Sequence, residues 1–169
     1  PELQAVKNRI KSVWANGDFG ILARVLEPEE KKLYQRLNIP KGASLLDVAC
    51  GSGTIALEAA RNGVRAKGLD LVEDLIRQAE ETSRAEKLEI EFIVGDAEDL
   101  PYPDNDFDFV ISVFGAMFCP RPMLAASELF RVCRPGGKVV MGNWTIEGEI
   151  NDFFDVVSKY APPLPSGVP

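Results

Sequence analysis

Ser44-Leu45-Leu46-Asp47-Val48-Ala49-Cys50-Gly51-Ser52-Gly53-Thr54-Ile55-Ala56-Leu57 is the stretch on which the reading of the whole chain turns. It opens with a short apolar run, the pattern of a strand buried on both faces. Two glycines then turn the backbone, and Ile55, Leu57, Ala59 and Ala60 continue as an amphipathic helix. Strand, glycine turn and helix in succession set backbone N–H groups and a helix N-terminus against a ligand in α/β folds. Glycine serves there because a side chain would hold the ligand off the backbone.

Gly51-x-Gly53-x-x-Ala56 also satisfies the dinucleotide pattern, in which alanine can replace the third glycine. Asp47 points elsewhere. A carboxylate at the strand mouth, beside the glycine turn, suits a ligand with a cationic amino end better than one carrying a pyrophosphate. An NAD-dependent oxidoreductase therefore stands as the second reading.

Composition narrows the classes. A chain of 169 residues, 46% hydrophobic and 27% charged, fits one soluble globular domain. A net charge of −7 argues against a nucleic-acid partner, whose phosphates need Lys and Arg. No apolar run reaches membrane-spanning length, and there is no signal-peptide pattern. Cys50, Cys119 and Cys133 are too few and too scattered for a disulfide framework and read as reduced thiols of a cytoplasmic protein. Histidine is absent, which argues against a hydrolase triad or a catalytic zinc site.

Along the chain, Leu3, Val6, Ile10, Val13 and Trp14 recur at helical spacing and predict a helix over 2–15. Asn16-Gly17-Asp18 is a turn signal. Two further helical pieces are expected at Phe19–Leu26 and Glu29–Leu37, with Pro28 at a helix start. After the first core helix, Val64–Leu69 is the second strand and ends at Asp70, near the spacing at which an acidic residue binds ribose hydroxyls. Asp70 is also placed to cap the next helix, Val72–Ala85. Leu88–Val94 is the third strand, followed by the acidic, turn-rich run Gly95-Asp96-Ala97-Glu98-Asp99. Phe109–Val113 is the fourth strand, and Phe114, Met117 and Phe118 follow it at the strand end where open sheets bind ligands. Arg121–Cys133 reads as a helix with Leu124, Leu129, Phe130 and Val132 on or near its buried side. Arg134-Pro135-Gly136-Gly137 ends it, and Lys138–Asn143 is the fifth strand. Residues 149–160 read as a helix with Ile150, Phe153, Phe154 and Val157 on one face, before a proline-rich tail.

Asp47-x-x-x-Gly51-x-Gly53, Asp70, Gly95-Asp96-Ala97 and the Arg134-Pro135-Gly136-Gly137 turn together resemble the class I S-adenosylmethionine-dependent methyltransferases, over roughly residues 10–160. The closest look is to the small-molecule branch that includes quinone-biosynthesis methyltransferases. The resemblance implies a doubly wound Rossmann-like α/β sandwich with strand order 3-2-1-4-5 and the N-terminal helices as a lid. It implies S-adenosylmethionine as cofactor, S-adenosylhomocysteine as product, and a small-molecule methyl acceptor. Cofactor contacts are expected from Asp47, Ala49, Gly51, Ser52 and Gly53 at the first turn, and from Asp70 and Leu71 after the second strand. Asp96 and Ala97 are expected to read the adenine amino edge, and Phe114 to line the adenine or methyl-donor side. Met117 and Phe118 are expected on the acceptor side. The Asp/Asn-Pro-Pro-aromatic motif of nucleic-acid amino-methyltransferases is missing at that point, and no residue is singled out as a catalytic base.

The expected organisation is one methyltransferase-like domain: a lid over 1–40, a cofactor-binding core over 41–147, and a helix and tail over 148–169. Similar proteins continue with further antiparallel strands. The fifth strand, apolar and charged only at Lys138, is therefore expected to be shielded by residues 149–169, by a second copy in a homodimer, or by the rest of a longer chain. A non-catalytic cofactor-binding fragment is the remaining alternative.

Overall fold

The computed structural model describes residues 2–16 and 19–145, with 147, 156 and 159. In chain order the elements are α1 (Glu2–Asn16), α2 (Phe19–Leu37), β1 (Ser44–Val48), α3 (Thr54–Arg61), β2 (Arg65–Asp70) and α4 (Glu73–Ala85). Then follow β3 (Glu91–Val94), β4 (Phe107–Val113), a 3-10 turn (Ala116–Phe118), α5 (Pro122–Val132) and β5 (Cys133–Gly142). The strands form one parallel sheet in the order β3-β2-β1-β4-β5. β1 is central, with Asp47 opposite Gly68 of β2 and Ile111 of β4. A strand flanked on both sides and covered on both faces is mostly apolar; Leu45, Leu46 and Val48 are all fully buried, and Asp47 is the buried polar member.

Side chains alternate across the pleat and split the core in two. Leu45, Phe109 and Ile111 join Ile55, Leu57, Ile76, Ala79 and Phe92 under α3 and α4, with Tyr34 of α2 packed among them. Leu46, Val48, Leu69 and Val110 face the other way, against Leu129 and Val132 of α5 and Leu100, Tyr102 and Phe107.

Four expectations change. The two pieces around Pro28 are one helix, α2, which runs through the proline. Pro28 removes one N–H from the ladder, but it is exposed, while Tyr34, Leu33 and Leu37 hold the second half on the core. β3 is shorter than 88–94, because only Glu91–Val94 has β2 as a pairing partner. The Arg134-Pro135-Gly136-Gly137 turn lies inside β5, not before it. Phe107 pairs with Cys133 and Phe109 with Lys138, so the turn is looped out as a bulge and pairing resumes beyond it. Finally, Phe130 is 68% exposed and Leu124 36%; Ala125, Leu129 and Val132 form the buried stripe of α5. β5 is an edge of the described sheet, with Met141 exposed. Apart from Val156 and Lys159, the 149–160 segment expected to form a shielding helix lies outside the described residues, as do the Asn16–Asp18 turn beyond Asn16 and the tail.

Candidate functional site

The C-terminal ends of β1, β2, β3 and β4 gather every residue that the sequence nominates for a ligand. At the end of β1, Ala49 takes a left-handed φ of 54°, and Gly51 and Gly53 take φ of 54° and 85°. That folds the chain tightly enough for the Gly53 N–H to donate to the Cys50 carbonyl at 2.8 Å. Gly53 has no room for a side chain: a Cβ there would meet the Phe92 ring at 2.9 Å and Ala79 at 3.1 Å. A Cβ on Gly51 would meet nothing within 4 Å, so its glycine keeps space open above the turn. Ser52 between them is half-buried.

Asp47 lies under the turn, 2% exposed, and its Oδ2 accepts the Ala56 N–H of α3 at 3.1 Å. Asp70, at the end of β2, ties two segments together: Oδ2 accepts the Gly51 N–H at 2.8 Å, and Oδ1 accepts the Val72 N–H at 2.9 Å. Asp70 thus braces the glycine turn and the residue that enters α4, while α4 itself carries no side-chain cap hydrogen bond, so the capping role considered for Asp70 is not what its carboxylate does.

The electrostatics are one-sided. Burial pushes the Asp47 carboxyl well above the usual range, and the charge of Glu30 on α2 adds to it, against the pull of the Ala56 N–H. Burial likewise raises Asp70, opposed by the Val72 and Gly51 N–H groups. Glu30 is raised by burial too, against a hydrogen bond from Thr54 at the start of α3. Among the described residues no cation forms an ion pair with any of the three. A ligand bringing its own positive charge would relieve this imbalance, whereas a pyrophosphate would aggravate it.

Beyond β3, Asp96 accepts the Glu98 N–H at 2.9 Å through Oδ1 and pairs through Oδ2 with Lys7 of α1. Ala97 is buried beside it. Leu71, Asp96, Asp99 and Arg121 face α1 across a cavity of about 360 Å³, within the usual range for small-molecule pockets. The Glu98 side chain is fully buried, takes Lys7 on Oε2, and accepts from the Arg121 N–H at 2.6 Å and its Nε at 2.9 Å. Beyond β4, Phe114 also takes a left-handed φ of 54°, an uncommon state for a bulky residue. There it stacks on Trp144 with ring centroids 4.1 Å apart and an 18° tilt. Phe118 meets Trp14 of α1 at 5.2 Å, and Met117 is half-buried between the two aromatic pairs in sequence.

Lys7, Glu30, Glu98 and Trp144 escaped the sequence reading. Lys7 and Glu30 sit in amphipathic helices among other charges, and no local pattern separates a buried or half-buried member of such a series from its solvated neighbours. Glu98 carried a weak signal, its place in the acidic run after β3. Trp144 lies two residues beyond the end of β5, and its signal was the sheet end at which it falls.

Comparison with known proteins shows the family to which this fold belongs. The family model described as a methyltransferase domain matches residues 46–141. An uncharacterised protein of Mycobacterium tuberculosis is 38% identical over 169 residues, covering 99% of this chain and 62% of that protein. The chain thus spans about three-fifths of that relative's length. The demethylmenaquinone methyltransferase of Bacillus licheniformis is 44% identical over 112 residues, 64% of this chain and 48% of that protein. Among solved structures, an S-adenosylmethionine-dependent methyltransferase from Methanosarcina mazei superposes with a TM-score of 0.57 at 30% identity, covering 63% of this chain and 55% of that one.

Proposed function

The chain belongs to the family of methyltransferase domains, and on that footing we propose that it binds S-adenosylmethionine across the ends of β1, β2 and β3 and methylates a small-molecule acceptor. The observation that carries this reading is the set of carboxylates around the Gly51–Gly53 turn that pair with no described cation: Asp47 and Asp70, both buried, and Glu30, half-buried. S-Adenosylmethionine brings an ammonium and a sulfonium, the charges this set lacks. When bound, it supplies a methyl group activated for in-line transfer to a nucleophile.

The chain's own residues do the holding. The turn presents backbone and open space at Gly51. Asp70, with acceptor positions to spare beside the turn, is the group for the ribose hydroxyls. Asp47 acts from beneath through its field, since it is buried and engaged with Ala56. Leu71, Asp96 and Ala97 hold the nucleobase end. Most of the rate gain comes from positioning two bound reactants, which needs no covalent intermediate.

A small-molecule acceptor is supported by the net charge of −7, which disfavours polyanionic partners. It is also supported by the two aromatic pairs at the β4 and β5 ends, which offer flat apolar surface. The demethylmenaquinone methyltransferase of Bacillus licheniformis points the same way. No described helix is long and apolar enough to cross a membrane. The three free thiols support a reducing compartment, the cytoplasm.

Calorimetry with S-adenosylmethionine, S-adenosylhomocysteine and NAD tests the cofactor. Heat with either sulfur compound and none with NAD is expected; the reverse pattern overturns the proposal. A methyl-transfer assay with labelled cofactor against a metabolite extract then tests the acceptor class. Label is expected in the low-molecular-weight fraction, and label confined to macromolecules would overturn it.

A further inference from the structure

The outer wall of the cavity beside Asp96 comes from α1. Leu3, Lys7 and Lys11 recur every fourth residue, with Gln4 and Asn8 beside them, so one helix face lines the cavity. Lys7 is the fixed point of that face. It is 9% exposed, and its ammonium lies between Asp96 Oδ2 and Glu98 Oε2. Burying an ammonium is costly unless it is paired and hydrogen-bonded; here two carboxylates offset the cost, and Arg121 secures the second of them. Asp96 is consequently held at both oxygens, by the Glu98 N–H on one and Lys7 on the other. A carboxylate gripped in this way cannot rotate about its last bond, and it keeps acceptor capacity on the cavity wall.

We propose that Lys7 is a positioning residue for base recognition: by fixing Asp96 against the β3 loop, it makes the cavity select a base with an exocyclic amino group over one with an oxo group. The inference rests on the S-adenosyl reading of the site. An amino group donates to the held carboxylate, whereas an oxo group meets it lone pair to lone pair. Without Lys7 the carboxylate turns, α1 loses its anchor, and the distinction fades.

The test compares calorimetric binding of S-adenosylhomocysteine and S-inosylhomocysteine to the full chain, as wild type, Lys7→Met, Lys7→Gln and Lys7→Arg. Wild type should prefer the adenine compound by roughly tenfold or more, the scale of one charged hydrogen bond. In Lys7→Met that ratio should fall to within about threefold, and Lys7→Arg should restore it. Lys7→Gln removes the charge that pairs with both carboxylates while keeping a polar side chain, so its ratio should fall as well, and it reads the effect if the methionine variant does not fold. A purely structural role would weaken both compounds equally; an unchanged ratio in the Met and Gln variants overturns the proposal. Wild type that binds neither compound overturns the cofactor reading itself, which separates the two failures.

Discussion

The Asp70 carboxylate accepts the Gly51 N–H at 2.8 Å, joining the end of β2 to the glycine turn nineteen residues earlier. With its second oxygen on the Val72 N–H, one side chain sets both the turn and the entry to α4. Asp70→Ala should therefore do two things. It should weaken S-adenosylhomocysteine binding by roughly 1–3 kcal/mol, the range for losing a charged hydrogen-bond partner, and lower stability by about 1–2 kcal/mol through two unmet N–H groups. Isothermal calorimetry and denaturant unfolding measure these separately; a stability loss with unchanged affinity would leave Asp70 as a brace alone.

The two glycines of the turn should respond differently. At Gly53 an alanine meets Phe92 and Ala79 and must also hold φ near 85°. Gly53→Ala should cost roughly 2–4 kcal/mol from strain and overpacking. At Gly51 a methyl group enters open space, so Gly51→Ala should cost only the left-handed penalty, about 1–2 kcal/mol. It should nevertheless abolish ligand binding, because the methyl group occupies the approach to the backbone. Melting curves and ligand titrations of the two variants would contradict this if their order were reversed.

Acidic pH should favour the ligand-free fold at this site and disfavour the ligand. Asp47, Asp70 and Glu30 are raised above ordinary values of 3.8 for Asp and 4.5 for Glu, by burial in each case. Their contribution to stability is therefore full below those values and is lost as pH rises through the folded-state values. A cationic ligand favours the ionised forms, so binding should release protons and tighten as pH rises. Calorimetry of S-adenosylmethionine at a series of mildly acidic pH values, in buffers of different ionisation heat, should give different apparent heats. Identical heats would mean that no proton leaves.

Glu98→Ala should be among the most destabilising single changes in the chain. Its side chain is fully buried and meets Lys7, the Arg121 N–H and Arg121 Nε. Removing it leaves a buried ammonium with one partner and the N-cap of α5 unanchored. A loss of about 3–5 kcal/mol is expected, the range for breaking a buried ion pair. Urea unfolding reads it, and a loss under about 1 kcal/mol would place Glu98 with exposed pairs.

The buried apolar run of β1, its glycine turn and the alternation of strands and helices determined the parallel sheet and its layers. Each is a local pattern whose period or backbone demand admits one structure. Asp47, Asp70 and Asp96 were legible as a group for the same reason: each follows or ends an apolar strand, and parallel strands deliver their ends to one edge. Tertiary structure decided the rest. Lys7 meets Asp96 across 89 residues, and no local spacing distinguishes it from Lys11 one turn later. Pro28 stays within α2, and the Pro135–Gly136 turn is absorbed into β5, because neighbouring packing and strand pairing outweigh a local break signal. Phe130 faces outward although it is apolar, because the turn of α5 had already committed Ala125, Leu129 and Val132 to the sheet. A residue's type records what it can do; which partner it meets is set by chain segments far away in sequence, and that information has no local period to read.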